Sequence, residues 1–332
     1  MELIWDRYYS FTKRVLSLAG QWPYQNKNEK MLRLSIVTTA VLVINVPQTC
    51  KFIQCDKNLE CITRTLPPYI LVLVVMVKLY ISQFRASKIK ILTDRVSIDW
   101  KRLQNVEEYE IMETYVTSAR WIVLMYTAVC MIGLHIFILV SLIPHILDIV
   151  LPLNESRPIV LPFEAYYFVD ERKYFFYIFC YDLIAAEIGM IGLIAYDIIF
   201  FTFVEHVCGI FAVTGFRFEH LVFENIDAVK VVNNDTDETY NNRMACSVDA
   251  HRAALEFAER LENTFSLNFG IELLLVTVVL SITLLQITMQ SEDTVETMRY
   301  VLYVLAQLVH LLVFCCEGQR LIDHSLQIRD KM

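Results

Sequence analysis

Six apolar stretches dominate the chain, and each is long enough to cross a lipid bilayer as a helix, which takes roughly 20 mostly apolar residues. They are Leu34–Cys50, Leu66–Phe84, Trp121–Ile143, Phe175–Phe203, Asn268–Thr288 and Tyr300–Cys316. The third carries no acid or base except His135, and the second opens on Pro67-Pro68, residues that suit a helix's first turn. A soluble core has no place for six such runs. At 56% hydrophobic residues the chain lies above the roughly 45–50% usual for soluble domains. The expected fold is therefore all-α, a polytopic transmembrane helical bundle of six spans.

Lysine and arginine set the orientation. One side of the predicted membrane holds 21 of the 29, in the N-terminal segment, the loops after spans two and four, and the tail. The other side holds seven, and Lys78 lies within span two. The N-terminus is expected in the cytoplasm. The chain then divides into a cytoplasmic N-terminal segment (1–33), spans one to four (34–203) with an extracellular loop (144–174), a cytoplasmic loop and helix (204–267), spans five and six (268–316) and a polar tail (317–332). The first 30 residues show no apolar core followed by a small-residue cleavage site, so a removable signal peptide is not expected.

Between the spans, "NIDAVKVVNNDTDETYNNRM" is polar and acidic and reads as linker. After it, Leu255, Ala258, Leu261 and Phe265 form an apolar stripe while Arg252, Glu256 and Arg260 sit four apart, which predicts a helix running into span five. The charged stretch between spans two and three also has helical spacing, and it is expected to extend those two helices. The proline-rich loop before span four is expected to form a partly ordered lid without a helix of any length.

Enzyme chemistry finds no support. There is no Gly-rich phosphate loop, no HExxH and no GxSxG among these residues. The seven histidines stand apart and no CxxC pair exists, so neither a metal site nor a cofactor is indicated. No basic block points to nucleic acid, and the formal net charge is -8. Cys55 and Cys61 share one short loop and are as consistent with a free pair as with a bridge.

Ionisable groups inside a membrane are costly and need partners. Lys78 and Asp197 both lie in the inner halves of their spans, which makes them a candidate ion pair; exchanging the two charges is expected to restore expression lost in either single change. Asp182 and Glu272 fall near opposite interfaces and are expected to be wet, while Glu187 has no evident partner. Tyr300 and Tyr303 share a face of span six, and Cys130, Gly133 and Phe137 share one of span three, with a gap at Gly133. Apolar walls with few polar handles, enclosed between helices, fit a small volatile ligand, although interfacial aromatics commonly serve as an anchoring belt.

"CCEGQRLIDHS", Cys315–Ser325, resembles the segment after the sixth span of insect odorant receptors, where a GQxLIDxS-like run starts a cytoplasmic anchor region. "HRAALEFAERLENTFS" resembles that family's helix before span five, and "LPFEAYYFVDERKYFFYIFCYD" its aromatic loop entering span four. The resemblance implies an odour-gated cation channel, a hetero-tetramer of a tuning subunit with a shared co-receptor, in the plasma membrane of a sensory neuron dendrite. It implies ligand contacts at Tyr69, Cys130, Gly133, Phe137, Met190, Tyr300 and Tyr303. The family's seventh, pore-lining span has no counterpart before Met332, so 317–332 is expected to be a truncated anchor region. A gustatory receptor of the same superfamily and a six-span secondary transporter are the alternatives.

The predicted topology places the sequon Asn154-Glu155-Ser156 outside and Asn234-Asp235-Thr236 inside. Glycosidase treatment is expected to shift the mobility of the wild-type chain and of Asn234→Gln, and to leave Asn154→Gln unchanged.

Overall fold

A computed structural model describes residues 2–153, 157–228, 234–289 and 294–331; the candidate glycosylation site Asn154 lies outside the described residues. These form ten α-helices: α1 (Glu2–Tyr8), α2 (Ser10–Leu18), α3 (Lys27–Gln54), α4 (Leu59–Phe84), α5 (Ala86–Lys101), α6 (Val106–Leu139), α7 (Ile143–Val150), α8 (Phe175–Ala228), α9 (Asn234–Met289) and α10 (Thr294–Lys331). Six of them, α3, α4, α6 (running on through α7), α8, α9 and α10, contain segments long and apolar enough to cross a membrane.

Helix α8 is the hub. It packs against α2, α3, α4, α5, α6, α9 and α10, and 61% of its most apolar stretch is buried, against 11% for α10. Tyr196, Phe201, Phe203, Val204, Val207 and Cys208 on this helix are inaccessible. Close approach is built in at Gly192, where an added Cβ would lie 2.7 Å from Val37 Cγ1 of α3.

The chain N-terminal to α3 is an ordered part of the bundle. Trp5, Tyr9, Leu16 and Trp22 are buried, with Trp5 and Trp22 rings 5.1 Å apart. Gly20 turns the chain between α2 and α3 with φ +68°, in space where a Cβ would meet backbone atoms of Lys30 and Leu34 at 2.8 Å. Gln21 Nε2 then donates to Gly192 O at 2.9 Å, pinning this turn to the hub.

The fold differs from the sequence reading in several places, and α4 begins at Leu59, with Pro67 and Pro68 inside it and not in its first turn. The charged segment after span two forms a helix of its own, α5, because its apolar residues Ile89, Leu92, Val96 and Trp100 recur at helical spacing and bury one face. It lies against α9, where Arg85 donates to Thr264 O at 3.0 Å. The proline-rich loop begins with the two-turn helix α7, whose first turn holds Pro144, a position that needs no N–H donor. Helices α8 and α9 also run into the segment read as linker, to Ala228 and from Asn234.

A disulfide joins Cys55 and Cys61 across the turn between α3 and α4, and Asn58 caps α4 by accepting from the Glu60 and Cys61 amides. Inside α3, Pro47 has no N–H to offer the Val43 carbonyl. Tyr181 of α8 fills that vacancy, its hydroxyl donating to Val43 O at 2.8 Å. Tyr181→Phe is expected to cost about 1–2 kcal/mol of stability by orphaning this carbonyl. In a Pro47→Ala background the restored amide takes over, so the same change is expected to cost nothing measurable in a thermal denaturation of the purified chain.

Candidate functional site

Two constellations stand out in the bundle: a polar centre crossed by five spans, and an aromatic layer beneath the loop 157–174.

At the polar centre, Lys78 of α4 is fully buried, and water cannot solvate it. Its Nζ lies 2.7 Å from Asp197 Oδ1 of α8 and 2.6 Å from Glu272 Oε1 of α9. Tyr126 of α6 donates to the second oxygen, Asp197 Oδ2, at 2.7 Å. His310 of α10 closes the ring, with Nε2 2.7 Å from Glu272 Oε1 and Nδ1 2.9 Å from the Tyr126 hydroxyl. The Phe314 ring lies under the ammonium, 5.6 Å from Nζ. Glu272, read from sequence as wet, is 6% exposed and shares the lysine with Asp197. Asp182, also read as wet, is inaccessible because the loop folds over it: the Tyr167 hydroxyl donates to both its oxygens, at 2.8 and 2.7 Å. Burial, and then the Asp182 charge, push the Tyr167 hydroxyl well above the ordinary tyrosine range, so it remains a donor. Glu187 meets His135 at 2.9 Å.

The aromatic layer lies toward the loop. Phe137 of α6 has its ring centre 6.1 Å from Tyr303 of α10 and 6.0 Å from Phe163 of the loop. The Arg299 guanidinium sits 5.5 Å above Phe137 and pairs with Glu296 at 3.1 Å. Arg299 also donates to Pro162 O at 3.3 Å, and Arg64 of α4 lies 3.7 Å from Glu164, so a hydrogen bond ties the loop to α10 and an ion pair ties it to α4. Tyr303 donates to Pro67 O at 2.9 Å and packs with Ile70, Val74 and Val279.

The seven residues named from the sequence are not all brought together. Phe137 and Tyr303 are in ring contact, and Tyr300 is buried one turn away beside Arg64. Cys130 lies deeper, one turn from Tyr126 and close to the polar centre. Gly133 is exposed, and a Cβ there would meet no atom within 4 Å. Met190 packs at the edge of the main core. Tyr69 turns toward α3 and stacks on Phe52 at 5.9 Å. None of the seven lines the open cleft of about 680 Å³ between α3, α8 and the loop, which is walled by Val43, Pro47, Tyr167, Phe168, Tyr177 and Tyr181 among others.

Sequence reasoning missed Tyr126, Phe163 and His310. An isolated histidine in an apolar run carries the same signal as an isolated lysine, so His310 was detectable; tyrosine and phenylalanine do not stand out among 17 and 20 of their kind.

Because Lys78 serves two carboxylates, Lys78→Met is expected to cost about 3–5 kcal/mol by stranding both. Exchanging Lys78 and Asp197 is expected to fail as a rescue, since the carboxylate introduced on α4 would face Glu272. Adding Glu272→Gln to the exchange is expected to recover folded protein on size-exclusion chromatography.

No curated protein matches the sequence. Among solved structures, the fold is similar to that of the insect olfactory receptor OR5 from Machilis hrabei, with TM-score 0.69 at 13% identity, covering 97% of this chain and 81% of that one. The same receptor in complex with eugenol gives TM-score 0.72 at 13% identity, covering 98% and 83%. Residues 58–332 match the family model described as 7tm odorant receptor. The chain is a multi-pass membrane protein that belongs to the odorant receptor family, a family of receptors and not of enzymes.

Proposed function

We propose that this chain is an odour-tuning subunit that binds a small volatile in the layer around Phe137 and gates a cation channel together with a shared co-receptor. The reading places the N-terminus in the cytoplasm, the loop 144–174 outside and the assembly in the plasma membrane of a sensory dendrite. The observation that carries it is the ring contact of Phe137, Tyr303 and Phe163 under a loop held down by the Arg64–Glu164 ion pair and the Arg299–Pro162 hydrogen bond. That enclosure is apolar, and its nearest polar handles are the Tyr303 hydroxyl and the Arg299 guanidinium. A volatile would enter by parting Phe137 from Tyr303. Complex formation of a family neighbour with eugenol, a small aromatic volatile, supports this ligand class.

In cells expressing the chain with a co-receptor, an odorant panel is expected to evoke inward cation current that neither subunit gives alone. For an odorant found this way, Tyr303→Ala and Tyr300→Ala are each expected to raise the half-maximal concentration about tenfold or more, equivalent to roughly 1.4 kcal/mol. Unchanged sensitivity in both variants would remove this layer from the ligand site.

A further inference from the structure

The ring of contacts at the polar centre holds one proton more than its side chains carry at neutral pH in water. Three contacts link Asp197, Tyr126, His310 and Glu272 in series: Tyr126 OH to Asp197 Oδ2 at 2.7 Å, Tyr126 OH to His310 Nδ1 at 2.9 Å, and His310 Nε2 to Glu272 Oε1 at 2.7 Å. At such separations each contact needs a hydrogen between its heavy atoms. Neutral tyrosine supplies one and neutral histidine another. The third must be added. Either histidine tautomer without it leaves two lone pairs facing each other at under 3 Å.

Charge gives the same answer independently. Lys78 contributes one positive charge against the two carboxylates of Asp197 and Glu272, all three buried. An uncompensated negative charge in a dry interior is prohibitively costly. One added proton makes the centre neutral. The other titratable groups facing it, Cys130 of α6 and Tyr196 of α8, carry no charge in their protonated forms and do not alter the sum.

We infer that the Lys78–Asp197–Tyr126–His310–Glu272 ring is a proton-binding site that ties five spans together while it is filled. The proton is shared along the His310–Glu272 contact, as imidazolium against carboxylate or as carboxylic acid against imidazole. This inference does not rest on the channel reading.

The sign of the pH dependence follows. An exposed histidine gives up its proton near pH 6.5, so above that value the folded chain binds one more proton than the unfolded chain. Stability then falls as pH rises, by up to tenfold in the folding equilibrium per pH unit, until the native proton also leaves. Asp197→Asn isolates the effect. Its carbonyl accepts from Lys78 where Oδ1 did, and its amide donates to Tyr126 where Oδ2 accepted. Tyr126 then donates to Nδ1 of a neutral His310, whose Nε2–H serves Glu272. Every contact is filled and the charges cancel without an added proton.

The test is the thermal midpoint of the full chain in lipid nanodiscs, followed by tryptophan fluorescence from about pH 6.5 to about pH 9.5, the window above the ordinary histidine range. Wild type is expected to lose stability across that window. Asp197→Asn is expected to fold, to show a flatter profile and to overtake wild type at the alkaline end. A wild-type profile no steeper than that of Asp197→Asn overturns the inference, and so does failure of Asp197→Asn to fold.

Discussion

Hydrocarbon offers no hydrogen bonds, so each polar group on the central helix must find its partner in another part of the protein. Helix α8 carries these groups at intervals along its length, and between them they meet the loop, α2, α4, α5, α6 and α10. Asp182 takes the Tyr167 hydroxyl of the loop, Asp197 takes Lys78 of α4 and Tyr126 of α6, and Thr202 meets Thr12 of α2 at 3.0 Å. Glu205 binds Arg320 of α10 at 3.0 Å, and His206 lies 3.3 Å from Tyr9, between α1 and α2, and 3.4 Å from Asp99 of α5. Van der Waals packing alone leaves helices free to slide by a turn. Pairings of this kind do not, because a shift strands a buried charge or donor. They set the depth and rotation of α2, α4, α5, α6 and α10 against α8.

The same logic explains what the sequence disclosed and what it withheld. Spans are visible because length and apolarity are local properties, and all six runs fall within helices of the fold. Lys78 and Asp197 were recognisable as residues in need of partners. Which partners they have depends on the rotation of α6, α9 and α10, which no single run encodes. Glu272 therefore looked like a residue near a surface, although the fold carries it to the lysine. The resemblance put Tyr69 among the ligand contacts, yet its ring stacks on Phe52 because α4 presents Pro67 and Ile70 toward α10 and Tyr69 to α3. Helix α5 was read as a continuation, because charge spacing reports helicity and not where one helix stops and the next begins.

The two constellations occupy adjacent levels of the bundle. Above the polar centre, Phe137 and Tyr303 belong to the same helices, α6 and α10, that supply Tyr126 and His310 below. A molecule separating those rings would act on two helices that meet again at the contact of Tyr126 with His310. The loop adds a third connection, since Phe163 closes the aromatic layer while Tyr167 caps Asp182.

All of this depends on Lys78 lying between two carboxylates in the middle of the bundle. The most direct measurement is an experimental map of the chain in a lipid nanodisc, at a resolution that shows side chains of α4, α8, α9 and α10. The account predicts continuous density from Lys78 to both Asp197 and Glu272, with His310 bridging Glu272 to Tyr126. Density showing Lys78 directed away from both acids, toward lipid or a water-filled passage, would contradict it.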